Sequence, residues 1–155
     1  MDGKELLRRM IDFDRWANAK TYDSIVPVAG EAKQAVTVLA HIYLGWDAWM
    51  DRMEKLDRKV DWFPKVSMDE CGEIGGRGQR RWDDFLASYQ GDWAGKEFET
   101  KLLDGRTGAF SLTDIVLQLV SHGAHHRGQV NTMVRQAGGT PPYTTFMGYV
   151  PAGQG

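Results

Sequence analysis

A chain of 155 residues suits one domain with a substantial core, and its 19 basic and 21 acidic side chains, formally −2 in sum, are mixed along the length. That mixture offers no basic stripe to neutralise a phosphate backbone, so no nucleic-acid partner is expected. No apolar run approaches the ~20 residues that span a bilayer, and Met1 to Glu5 reads as charged helix rather than signal peptide, so no membrane partner and a cytoplasmic location are expected.

The first helix is predicted over about 3–25, opened by Asp2 with Glu5 three residues on, and Pro27 and Gly30 separate it from the next. A second helix over about 31–57 carries the apolar stripe Val38, Ile42, Trp46, Trp49, Met53 and Leu56, with His41 at its border beside Gly45. Asp47 and Glu54 wind to the outer face of this helix and read as solvated charges. After Pro64, Ser67 and Glu70 open a third helix over about 67–90, whose Arg80-Arg81 pair, like Arg8-Arg9 on the first, reads as a solvated face. Residues 91–110 break the pattern: Phe98 to Leu102 alternates and Asp104-Gly105 is a turn pair, which fits a short β-hairpin. Ser111 and Asp114 then open the last helix, about 111–137, which Gly138-Gly139 and Pro141-Pro142 close.

Four amphipathic helices of this length bury their stripes most simply as an all-α four-helix bundle, with a long connection, holding the hairpin, before the last helix. One domain over 1–150 is expected, with 151–155 as a frayed tail. Pro141, Pro142, Tyr143, Phe146, Met147 and Tyr149 make the preceding stretch too apolar for a free linker, so it should pack on the bundle or across a subunit contact. Trp16, Trp46 and Trp49 lie near the surface between the first two helices and read as core. The alternative reading of Trp46 or Trp49 is a wall over a metal.

Three of the four histidines fall between Ser121 and Val130. His122 and His126, at i and i+4, project from one helix face at a separation that a single ion bridges. Winding the segment at ~100° per residue places His126 inside the apolar arc of Leu112, Ile115, Leu119, Val130, Met133, Val134 and Ala137, with His122 at its edge and His125 pointing outward. A third ligand must come from another helix, and the remaining histidine is His41. The expected metal ligands are therefore His41, His122 and His126. Cys71, the only cysteine, forms no internal disulfide; it reads as a structural thiol or, alternatively, as a fourth ligand that closes the coordination sphere.

The string His122-Gly123-Ala124-His125-His126-Arg127-Gly128-Gln129, the closing Gly138-Gly139-Thr140-Pro141-Pro142, Leu39-Ala40-His41-Ile42 and the opening Phe13-Asp14-Arg15-Trp16-Ala17-Asn18 together resemble the DinB-like family, damage-inducible metal-binding four-helix bundles. The resemblance implies one divalent ion, usually zinc or nickel, held by the positions matching His41, His122 and His126. It also implies frequent homodimers, and activities of the kind that use bacillithiol, mycothiol or glutathione-like cofactors.

Three neutral protein ligands leave an open position on the ion, the arrangement of catalytic sites. The leading expectation is a metal-dependent transferase joining a low-molecular-weight thiol to an electrophilic small molecule. The alternatives are a metal-dependent hydrolase and a non-catalytic metal-stabilised bundle that serves binding or the stress response. Haem is the weakest option, because no C-x-x-C-H attachment motif is present.

Overall fold

Three of the four long helices begin where a side-chain oxygen stands three residues before a carboxylate. Asp2, Ser67 and Ser111 each accept from the backbone N–H of Glu5, Glu70 and Asp114, and each carboxylate reaches back to the cap's own N–H. These reciprocal bonds satisfy amide groups that the first turn of a helix leaves without partners. The computed structural model describes residues 1–102 and 104–150. It contains α1 (Gly3–Ile25), a short 3-10 turn (Val26–Val28), α2 (Lys33–Met53), α3 (Met68–Ser88), β1 (Glu97–Lys101), β2 (Thr107–Ser111), α4 (Leu112–Gln136) and the short α5 (Phe146–Tyr149). The chain is mostly helical, as expected, and the expected frayed tail, 151–155, lies outside the described residues.

The second helix stops at Met53, short of the predicted end near 57. Lys55 takes a left-handed conformation (φ 57), and the amide of Leu56 donates to Asp51 O at 2.8 Å while that of Lys55 donates to Arg52 O at 3.2 Å. That is a Schellman end with lysine in the place usually given to glycine. Leu56, counted in the apolar stripe, therefore lies past the helix and is exposed. The last helix closes in the same way, with Gly138 at φ 84 and the amide of Gly139 donating to Val134 O at 2.9 Å.

The expected hairpin is present, with β1 and β2 antiparallel and Phe98 opposite Phe110. Gly105 (φ 86) supplies the turn, and Phe110 meets Trp49 edge-on with ring centroids 5.9 Å apart. Because Ser111 is both the last strand residue and the cap of α4, the hairpin feeds directly into the helix that carries three histidines.

Helix α2 packs along both α3 and α4, and α1 packs along α4 and touches α2. Its central place explains why most of α2 is buried, well beyond the single stripe read from sequence. One apolar cluster gathers Ile11, Trp46, Trp49, Trp82, Leu112 and Leu119, and a second gathers Ile25, Leu39, Ile42, Val130 and Val134. Trp46 and Trp49 are core residues, and Trp16 is half-buried against Tyr149 of α5 at 5.7 Å rather than between α1 and α2. The expected docking of the C-terminal stretch is observed in part: Phe146 and Tyr149 pack on Phe13, while Tyr143 and Met147 stay exposed.

Two charged residues expected to face solvent, Asp47 and Arg81, instead join helices, while Glu54 and Arg80 are exposed as expected. Asp47 is buried and accepts from Arg77 at 2.8 Å and Arg81 at 2.5 Å across the α2–α3 contact; Arg81 also reaches Asp51 and Glu54, each at 2.8 Å. Periodicity assigns an isolated charge to the outside, but a charge whose partner arrives from the neighbouring helix is stable inside. Burial opposes ionisation of Asp47, yet the hydrogen bonds and charges of Arg81 and Arg77 outweigh it and hold the carboxyl below its ordinary value.

Candidate metal centre

The α2–α4 contact brings His41 opposite His122 and His126. One ring nitrogen from each lies within 4.8 Å of the other two, a group that can hold a metal ion. His41 Nε2 and His122 Nε2 are 2.9 Å apart. The other nitrogen of two rings is engaged: His41 Nδ1 lies 2.8 Å from Trp62 O, and His126 Nδ1 lies 2.7 Å from Gln129 Oε1. Carbonyl oxygens only accept, so each Nδ1 carries the proton and each Nε2 keeps its lone pair. Lone pairs converging from separate helices, with the opposite ring edges tethered, are the donor arrangement a divalent cation needs.

The surroundings favour the neutral form of His41 and His122. Burial lowers the His41 value, against the pull of the Trp62 carbonyl and with the help of the nearby His126. Burial, followed by His126, His41 and His125, pushes His122 down to about 4. A neutral imidazole is the ligating form, so these two rings are ready to ligate at physiological pH without first shedding protons.

Gly45 of α2 faces His122, and a Cβ there would stand 3.4 Å from His122 Cε1, at van der Waals contact. The rings over His41 come from the segment after α2: Phe63 stacks on it at 4.2 Å and 11°, and Trp62 meets it edge-on at 6.1 Å. These are the aromatic neighbours of the site, in place of Trp46 and Trp49. Trp46 is occupied elsewhere, donating to Asp14 Oδ2 at 3.0 Å and packing on Trp82. The sequence signal for Trp62 and Phe63 was two adjacent aromatics in a connection rich in charged residues.

His125 is exposed, as its winding predicted. Cys71 does not join the histidines among the described residues; it is buried on α3 in the second apolar cluster, 3.8 Å from Val36 O, and burial pushes its thiol up to about 12. The fourth-ligand alternative for Cys71 is thereby set aside, because a thiol bedded in apolar side chains is inert.

Behind the histidine face lies a polar knot that pattern reading missed. Arg127 Nη1 donates to Asp14 Oδ1 at 2.5 Å and to Asn18 Oδ1 at 2.8 Å, and Asn18 donates to Asp14 Oδ2 at 2.9 Å. All three residues are buried. Burial raises the Asp14 carboxyl above its ordinary value, against the opposing pull of Arg127, Trp46 and Asn18. The buried line of α4 therefore runs through Val116, Leu119, Gly123, Arg127, Val130 and Val134, and His122 and His126 flank it half-buried. This corrects the sequence winding, which placed His126 within the apolar arc. An apolar count cannot see that a glycine and an arginine occupy the middle of the buried face. The usable signal was Asp14 and Asn18, four apart on α1, in the same opening segment that carries the family resemblance.

A family model described as the DinB family matches residues 15–153. The chain belongs to the DinB family. No curated protein and no solved structure matches it. As a DinB family member with three convergent imidazoles, the chain fits metal binding. Among the described residues no helix is long and apolar enough to cross a membrane.

Proposed function

We propose that this DinB family protein is a metal-dependent transferase that joins a low-molecular-weight thiol to an electrophilic small molecule, its four long helices forming a four-helix bundle around one divalent ion. The observation that carries the reading is the three-imidazole group with two Nδ1–H tethers. His41, His122 and His126 would hold the ion; imidazole donors suit zinc, nickel, copper and iron alike, and zinc or nickel is the choice that resemblance to the family implies. Bound there, a divalent ion lowers the pKa of a small thiol or a water molecule that completes its coordination.

The protein's own part is to keep His41 and His122 neutral, fix the rings of His41 and His126 through Trp62 O and Gln129, and shield one side of His41 with Phe63. Among the described residues no carboxylate or thiol joins the histidine group. That favours a thiol over water as nucleophile, since a metal alone deprotonates a thiol while hydrolysis generally also draws on a side-chain base. The same bare surround supports the second reading, a non-catalytic metal-stabilised binding module. We further propose a cytoplasmic homodimer, the exposed Tyr143 before α5 and Met147 on it being the apolar surface available to a partner copy.

The test is metal content of tag-free protein by elemental analysis beside His126→Ala, followed by thiol consumption with 1-chloro-2,4-dinitrobenzene. About one ion per chain, lost in the variant, together with thiol consumption by the loaded protein alone, is expected. Equal rates from apoprotein and loaded protein would remove the transferase reading, and metal without thiol turnover would leave the binding module.

A further inference from the structure

Phe63 belongs to two places at once. Its ring stacks on His41 at 4.2 Å, and it also lines a groove of about 950 Å³ formed by the turn before α2, the first two turns of α2 and the segment leading into α3. Thr37, one turn before His41 on α2, lines the same groove, so the groove runs up to the histidine group along one helix face. Its volume is that of a site for a small organic molecule, for which ~300–1,000 Å³ is usual. Apolar side chains, among them Val36, Phe63 and Met68, form much of the wall.

The charge of the groove is one-sided. Lys33 and Lys65 line it, no carboxylate does, and neither lysine makes an ion pair among the described residues. The neighbouring cavity of about 730 Å³ beside Trp62 differs, because it is mixed in sign: Asp51, Asp57 and Glu99 there offset three of the four cations Arg52, Lys55, Arg58 and Lys101. An apolar trough with two unpaired ammonium groups complements a molecule with a hydrocarbon or aromatic body and an anionic end.

We propose that this groove binds a small apolar carboxylate, and that such a compound is the electrophilic co-substrate class of the adjoining histidine centre. The second clause rests on the transferase reading above; the first does not. The probes are 4-phenylbutyrate and its neutral counterpart 4-phenylbutanamide, titrated calorimetrically into metal-loaded protein, His126→Ala and the double variant Lys33→Gln/Lys65→Gln, with backbone amide shifts mapping the location. The expected result is binding of the carboxylate about tenfold tighter than the amide, a preference that the double variant abolishes while leaving the amide unchanged. Shifts should centre on Val36 and Met68, and His126→Ala should bind both probes as wild type does. Equal affinity of the two probes, no binding, an unaltered preference in the double variant, or shifts centred on Arg52 and Trp62 would overturn the groove assignment. Carboxylate binding that disappears in His126→Ala would place the carboxylate on the ion and overturn it as well. Absence of metal from wild type, with groove binding intact, would remove the transferase reading and the co-substrate clause while the groove stands.

Discussion

Two glycines on α4 differ only in what a methyl group would meet. At Gly128 nothing lies within 4 Å of an added Cβ, whereas at Gly123 the Cβ would stand 2.7 Å from Asp14 Oδ1 and 2.8 Å from Arg127 Nη1. Alanine in a helix interior is favoured over glycine by about 1 kcal/mol, so Gly128→Ala is expected to gain roughly that amount. Gly123→Ala receives the same backbone gain but must displace a buried ion pair whose side chains are 0% and 3% exposed. Removing one partner from such a pair costs about 3–5 kcal/mol, and a forced separation most of that, leaving Gly123→Ala less stable than wild type by about 2–4 kcal/mol. At about 2–4 °C per kcal/mol for a chain of this size, Gly128→Ala should raise Tm by a few degrees and Gly123→Ala should lower it by about 4–16 °C. Thermal and urea unfolding followed by far-UV circular dichroism measure both. A Gly123→Ala protein that gains stability in step with Gly128→Ala would refute the placement of the Asp14–Arg127 pair against α4.

The remaining predictions concern the site and the α2–α3 clamp. Gln129→Leu removes the acceptor of His126 Nδ1 and is expected to weaken metal affinity by about 10–100-fold in chelator competition, with Gln129→Glu retaining it and helicity unchanged in both. The His122 value, depressed from 6.5 to about 4, means that the unfolded chain binds the proton more readily. The contribution is therefore fully present above pH ~6.5 and lost as pH falls towards ~4, so the apoprotein should lose about 1–3 kcal/mol over that window in urea titrations, and His122→Ala should flatten the loss. Asp47→Ala leaves Arg81 and Arg77 without their shared buried acceptor, and a loss of about 1–3 kcal/mol is expected in the same assay. Wild type should also shed the Asp47 contribution as pH falls below the ordinary aspartate value of 3.8 through its depressed one.

Features decided within a few residues of chain were legible before any coordinates. The capping boxes at Asp2, Ser67 and Ser111, the hairpin turn at Gly105 and the stop at Gly138 each depend on hydrogen bonds or backbone freedom among near neighbours. The pairing of His122 with His126 is equally local, since one helical turn carries one ring over the other. The end of α2 is the local exception: Lys55 adopts a left-handed conformation that its side chain does not advertise, so the apolar Leu56 drew the predicted helix too far.

Other features needed the tertiary structure because their partners lie far apart in the chain. His41 meets His122 across 81 positions, Arg127 meets Asp14 across 113, and Arg81 meets Asp47 across 34. Periodicity assigns a charge to solvent because burying an unpaired charge is prohibitive, and it has no way to know when a neighbouring helix supplies the counter-charge. The same blindness placed His126 within the buried face that Gly123 and Arg127 in fact occupy, and left Trp62 and Phe63 unassigned until the segment after α2 folded over His41. By itself the sequence determined the helices, most of their ends and the identity of three imidazoles able to share an ion. Only the packing of α2 on α4 and of α1 behind them decided that the lone pairs converge, because the direction of a side chain is local but its partner is chosen by which helix faces meet.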